Sequence, residues 1–310
     1  MDYPKKILLF GATGSIGTYI TEELVKSSSN FDRIGIFTSR STVESKGDLT
    51  QGLKDKGVNI IVGDIKNEND VAAAYQDFDT VVSAVGRGAI VEQIELIRLA
   101  EESGTIKWFF PSEYGTDIEY GPESASEKPH QGKLKVRAYF DSSVKRMSHT
   151  YLVTGPYPEF YIRSVPGLPN VGGFDVKKKE AVLLGDGEGK VSFTAMPDVG
   201  KLLVAALLSP EASQNKALKV NSFTATPKEI LAEFEKQTGA SWKASYVPLE
   251  KLKREEEKSW KEGSPSATSF TLKRIWTEGG TLYEKRDNDL IKPVELKTLE
   301  QVVQEGLANA

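Results

Sequence analysis

Short apolar runs alternate with amphipathic segments along the first half of the chain. Residues 6–10 contain four consecutive apolar positions, Ile7 to Phe10, that stop at a glycine and predict a buried strand. Residues 15–26 place Ile16, Ile20, Leu24 and Val25 on one face of a helix. The same reading predicts strands over 33–37, 58–62, 80–84, 107–110 and 150–154. Helices over 70–75, 91–102 and 134–145 fall between them. Strands separated by helical segments need right-handed crossovers, and these give a parallel sheet covered on both faces. The expected fold is therefore α/β and doubly wound.

After Gly155 the pattern loses its period. The stretch GPYPEFYIRSVPGLPNVGGF is rich in glycine, proline and aromatic residues and reads as an irregular, site-lining segment. Regular structure returns with strands over 181–184, 191–194 and 217–221 and helices over 197–208, 227–238, 249–261 and 266–278. Thr226 followed by Pro227 marks a helix start, as an N-cap and a first-turn proline. This change of texture sets the expected division. Residues 1–155 form the sheet domain, and 156–310 form a smaller α/β portion, some of whose strands and helices return to the first.

Composition narrows the partners. The net charge of −4 supplies no basic field for nucleic acid or an anionic membrane. There is no cysteine, and only two histidines occur, which removes disulfides and leaves too few ligands for a metal centre. A cysteine-free chain fits a reducing compartment. The first apolar run is far shorter than a signal sequence or a membrane span, so the expected location is cytoplasmic.

The first strand and helix are joined by GATGSIG, which sets Gly11, Gly14 and Gly17 at the corner. Such a corner suits a dinucleotide: Gly11 for the tight turn, Gly14 for backbone approach to a pyrophosphate, Gly17 for close helix packing. Thr13, Ser15 and Ile16 complete the loop, and the helix N-terminus attracts the phosphates. The fold is then of Rossmann type. An NAD site carries an acid at the end of the second strand, but here Thr38-Ser39-Arg40-Ser41-Thr42 stands there without one. Arg40 can fork onto a ribose 2′-phosphate with Lys46 as a second charge, so the expected cofactor is NADP(H). Asp64, after the third strand, and Ser83, Ala84, Val85 and Gly86, after the fourth, lie where such sheets bind ligands.

At the end of the fifth strand stands WFFPSEYG, followed by the helix of KLKVR. With GATGSIG, DTVVSAVG, ELIRLAEESG and the later MPDVGKLLVAALL, these segments resemble the isoflavone reductase-like and NmrA-like branch of atypical short-chain dehydrogenases, with a fungal-type flavour. Ordinary short-chain dehydrogenases use a Tyr-x-x-x-Lys pair. Here Pro129 stands four residues before Lys133, and no other tyrosine precedes a lysine at that spacing. The resemblance implies instead a lone catalytic lysine in a Lys-x-x-x-Arg context, matched by Lys133 and Arg137. Lys133 would exchange a proton with the substrate and also bond the nicotinamide ribose. Ser112 is placed beside cofactor or substrate. Tyr114, Tyr157, Pro158, Phe160 and Tyr161 are expected to wall the substrate, with Phe174 as a flap, suiting flat phenolic or conjugated molecules.

The reading is a reductase of a small molecule, compatible with a homodimer. Its alternative is a non-catalytic NADP(H) sensor that binds a partner protein, as the resemblance also allows.

Overall fold

Every residue of Ile7–Phe10 is buried, and alternate members face opposite ways. Ile7 and Leu9 pack with the helices Gly17–Lys26 and Met196–Leu207, whereas Leu8 and Phe10 pack with the helices Glu68–Tyr75, Gln93–Ser103 and Gln131–Ser143. A strand apolar on both faces must be covered on both, and this one is. A computed structural model describes residues 4–309. In chain order its strands are β1 (Lys6–Phe10), β2 (Arg33–Thr38), β3 (Asn59–Val62), β4 (Thr80–Ser83), β5 (Trp108–Phe110) and β6 (Ser148–Val153). There follow β7 (Gly173–Asp175), β8 (Glu180–Leu184), β9 (Val191–Phe193), β10 (Lys216–Lys219), β11 (Phe223–Ala225) and β12 (Lys243–Val247).

Seven strands form one sheet in the order β10-β6-β5-β4-β1-β2-β3, with every neighbouring pair parallel. From β1 the chain runs outward to β2 and β3, then crosses back to β4 on the other side. A crevice opens beyond the strand ends at such a reversal, and ligands bind there. The doubly wound α/β fold expected from the sequence is the fold observed.

Beyond residue 155 the chain serves two structures. β10 joins the edge of the large sheet through β6. The helix Met196–Leu207 lies against Gly17–Lys26, with Gly200 so close that a Cβ would overlap the Tyr19 carbonyl. The rest builds a third core in which Tyr161, Phe174, Phe193, Phe234 and Trp242 pack together, beside the antiparallel pair β9–β11 and the three-stranded sheet β12-β8-β7. Elements absent from the sequence reading include the helices Arg40–Ser45, Gly47–Asp55 and Leu299–Ala308, the one-turn helices Pro158–Tyr161, Pro210–Ser213 and Asn288–Ile291, and the strands β7, β11 and β12. β7 and β11 are three residues long, and β12 is exposed over most of its length, so none carries a readable period. No described helix is long and apolar enough to cross a membrane.

Candidate active site

The corner after β1 is closed by its glycines. Gly11 has φ +76°, and a Cβ there would overlap the Ala84 carbonyl, so the backbones of the first and fourth strand ends touch. A Cβ on Gly17 would overlap the Gly11 carbonyl. Gly14 N donates to Gly11 O at 3.0 Å, completing the turn. The helix that follows has no side-chain cap at its start and no acidic residue in its first turn, which leaves its positive end turned to the crevice.

A cavity of about 480 Å³ opens from this corner. Gly14, Ser15 and Ile16 line it on one side, with Ala84, Val85 and Gly86 facing them from the end of β4. Ser112 joins them, its N–H held by Gln93 Oε1 at 2.7 Å and its hydroxyl donating to Val85 O at 2.9 Å. A second chamber of about 240 Å³ shares Arg87, Tyr114, Pro129, Lys133, Tyr157 and Phe160 with the first. Its further walls include Thr116, Ile118, His130, Leu272 and Trp276. The two form one continuous cleft, and Lys133 stands where they meet.

Lys133 and Arg137 are four residues apart on the helix Gln131–Ser143, so both point to one side, and both meet Glu113. Arg137 grips the buried Glu113 carboxylate with two bonds, at 3.0 and 3.2 Å, and reaches Glu119 at 2.6 Å. Lys133 Nζ donates to the Glu113 carbonyl at 2.7 Å and lies 3.9 Å from its carboxylate. Burial lowers the Lys133 pKa from the usual lysine value; Glu113 opposes the shift, and Arg87 and Arg137 add to it.

The aromatic segment divides by helical spacing. In the one-turn helix Pro158–Tyr161, Phe160 and its preceding cap Tyr157 face the cleft, and Tyr157 donates its hydroxyl to Tyr114 O at 2.7 Å. Pro158 and Tyr161, also three apart, face the protein. Tyr161 packs on Phe193 and Trp276, and Phe174 stacks on Phe234 within the third core. These three are not among the cleft-lining residues. Phe174 is no flap: its ring is a core side chain, because β7 pairs with β8 and turns it inward.

Other expectations are adjusted in the same way. Ser83 is fully buried with its hydroxyl unbonded, since strand alternation points it into the protein and away from the crevice. Asp64 makes a turn, its carboxylate accepting from Lys66 N at 2.9 Å, and it does not line the cleft. Thr13 is engaged through its carbonyl, which accepts from Lys46 Nζ at 2.7 Å, so Lys46 stands beside the glycine corner. Arg40 heads the helix Arg40–Ser45 at the end of β2. It is exposed and makes no ion pair among the described residues, with Ser39, Ser41 and Thr42 hydroxyls clustered around its turn.

Several lining residues escaped the sequence reading. Arg87 follows Gly86 directly, and a cation just past the fourth strand was a usable signal. Trp260, Thr268, Leu272 and Trp276 come from helices Leu249–Lys261 and Ala267–Thr277, more than a hundred residues away, and had none.

The sequence pattern of the NmrA-like family matches residues 4–263. The chain is 30% identical over 255 residues to isoflavone reductase homolog P3 of Arabidopsis thaliana, covering 80% of this chain and 79% of that one. It is 29% identical over 266 residues to the isoflavone reductase of Pisum sativum, covering 81% of each. Among solved structures, the binary complex of leucoanthocyanidin reductase with NADPH from Vitis vinifera superposes with a TM-score of 0.78 at 22% identity, covering 98% of this chain and 99% of that one. These relatives are plant proteins, which gives the fungal-type expectation no support. The corner fits a dinucleotide: its glycines let β1, the helix start and the end of β4 close to backbone contact, the helix N-terminus is uncapped, and Arg40 at the end of β2 is exposed with no ion pair among the described residues.

Proposed function

The chain belongs to the NmrA-like family, and from that premise we propose that it is an NADP(H)-dependent reductase of an aromatic or conjugated small molecule, of phenolic, quinone or enone type. The observation that carries the reading is the partly buried amine of Lys133 at the junction of a glycine-cornered cavity and an aromatic-walled chamber. A sensor needs only the first cavity. An apolar second chamber with a proton-bearing group at its mouth is what a reductase needs.

In this reading Gly11, Gly14 and Gly17 and the backbone of Ser15 and Ile16 hold the diphosphate. Arg40 and Lys46 take the 2′-phosphate. Ala84, Val85 and Gly86 offer backbone beside the ribose, and Ser112 braces that strand end from below. When bound, NADPH supplies a hydride. Lys133 supplies the proton: its Nζ gives one to the substrate oxygen as the carbon is reduced, leaving a neutral amine that solvent recharges. Burial makes that neutral form accessible, while the Glu113 carboxylate keeps the charged form available. Tyr114, Tyr157 and Phe160 exclude water and hold a flat ring against the chamber wall. The absence of cysteine accords with a cytoplasmic setting.

The test is absorbance of reduced nicotinamide on mixing protein and NADPH with a panel of quinones, enones and isoflavones. Consumption above background, abolished by Lys133→Ala with NADPH binding intact, is the expected result. Full turnover in that variant removes Lys133 from the reaction, and a silent panel with tight NADPH binding returns the sensor reading.

A further inference from the structure

His130 lines the smaller chamber beside Lys133 yet has no task in the reaction above. It sits in the 3₁₀ turn Lys128–His130 that leads into the lysine-bearing helix, and it is 2% exposed. Its Nδ1 lies 3.1 Å from the Ser124 carbonyl, which can only accept. The ring proton is therefore on Nδ1, and Nε2 presents a lone pair. That Nε2 is buried and has no hydrogen-bond partner. An acceptor left bare in a pocket is costly unless a ligand satisfies it, by roughly 1–3 kcal/mol for a buried polar group.

Among the chamber's other polar side chains, Tyr157 donates its hydroxyl to Tyr114 O at 2.7 Å, while the buried Tyr114 hydroxyl, a donor, is left without a partner as His130 Nε2 is. Lys133 donates to Glu113 O and otherwise serves the reacting oxygen, Arg87 reaches the Pro129 carbonyl, and Thr116 Oγ1 receives the Trp276 indole N–H at 2.9 Å. Ile118, Leu272 and Phe160 add apolar walls. A flat ring fills such a space, and only a hydroxyl on that ring answers the imidazole. Resting on the reductase reading, we propose that His130 Nε2 accepts a hydrogen bond from a free hydroxyl on the substrate's ring, so that this chain selects hydroxylated aromatics over their methyl ethers. His130 is then a specificity-determining residue, separate from the proton exchange at Lys133.

Equilibrium dialysis of 1-naphthol and 1-methoxynaphthalene against the full chain, with saturating NADP⁺, tests this. The free hydroxyl should bind at least about tenfold more tightly, the ether leaving Nε2 unpaired. His130→Phe should bring the two affinities together while the ether still binds. His130→Gln, whose amide oxygen offers an acceptor near the same place, should keep part of the preference. Equal affinities in the native chain overturn the proposal while leaving the reductase reading standing, as does a preference undiminished in both variants. If neither compound binds although NADP⁺ does, the aromatic chamber itself is misread, and the reductase reading falls with the inference.

Discussion

Lys133 is held by geometry that a single carboxylate controls. Glu113 offers its carbonyl to the amine and its carboxylate to Arg137, and the ion pair is buried. Burial lowers the Lys133 pKa, so the charged, proton-giving form disappears at a lower pH than for a solvated lysine. The rate of reduction should therefore fall as pH rises, with its midpoint below the ordinary lysine value of 10.5. A rate profile flat up to that pH would contradict the role. Glu113→Gln removes the charge that raises this pKa, so the alkaline fall should move to lower pH. The same change leaves the buried Arg137 with Glu119 as its remaining carboxylate partner and should cost roughly 1–3 kcal/mol in urea unfolding. A variant with an unmoved pH profile and unchanged stability would show that the pair is idle.

At the scale of elements, the glycine corner is the tightest junction in the cleft. Gly17→Ala would drive a methyl into the Gly11 carbonyl, both backbone-fixed. The helix must withdraw, so NADPH affinity should fall at least about tenfold, with a stability loss of roughly 1–3 kcal/mol. Cofactor titration and thermal unfolding check the two together; native affinity in a folded variant would mean the packing is looser than described. This corner was legible because strand period, glycine spacing and helix period meet within a dozen residues. The helix Pro227–Thr238 was equally legible, since Thr226 and Glu229 form a capping box and Gly239 stops it. Phe174 and Tyr161 were misplaced for the opposite reason. Which side of an irregular segment faces the cleft depends on β8 and on the helix Ala267–Thr277, contacts remote in sequence. His130 and Trp276 were missed on the same ground: nothing local marks a residue whose role comes from a cavity closed by distant helices.

Across the whole molecule, the C-terminal half closes the site that the N-terminal half begins. The helix Ala267–Thr277 brings Leu272 and Trp276 to the chamber and buries Lys273 behind it. The Lys273 amine donates to Tyr161 O at 2.8 Å and lies 3.8 Å from the centre of that ring. Desolvation lowers its pKa to about 7, against 10.5 for a free lysine. Between those values the unfolded chain binds more protons than the folded one, so this group's effect on stability becomes more favourable as pH rises. Below about 7 its burial penalty is full. Lys273→Met should therefore stabilise the protein more at about pH 6.5 than at pH 9.5, by a difference on the order of a few kcal/mol. An equal effect at both, in thermal or urea unfolding, would show that the amine is not held as described. The central claim, that the glycine corner and the end of β2 hold a 2′-phosphorylated dinucleotide, is tested most directly by calorimetry. NADPH should bind one to one and at least about tenfold more tightly than NADH, with Arg40→Asp removing or reversing the preference. No heat from either form of the phosphorylated coenzyme, on folded protein, would contradict the account.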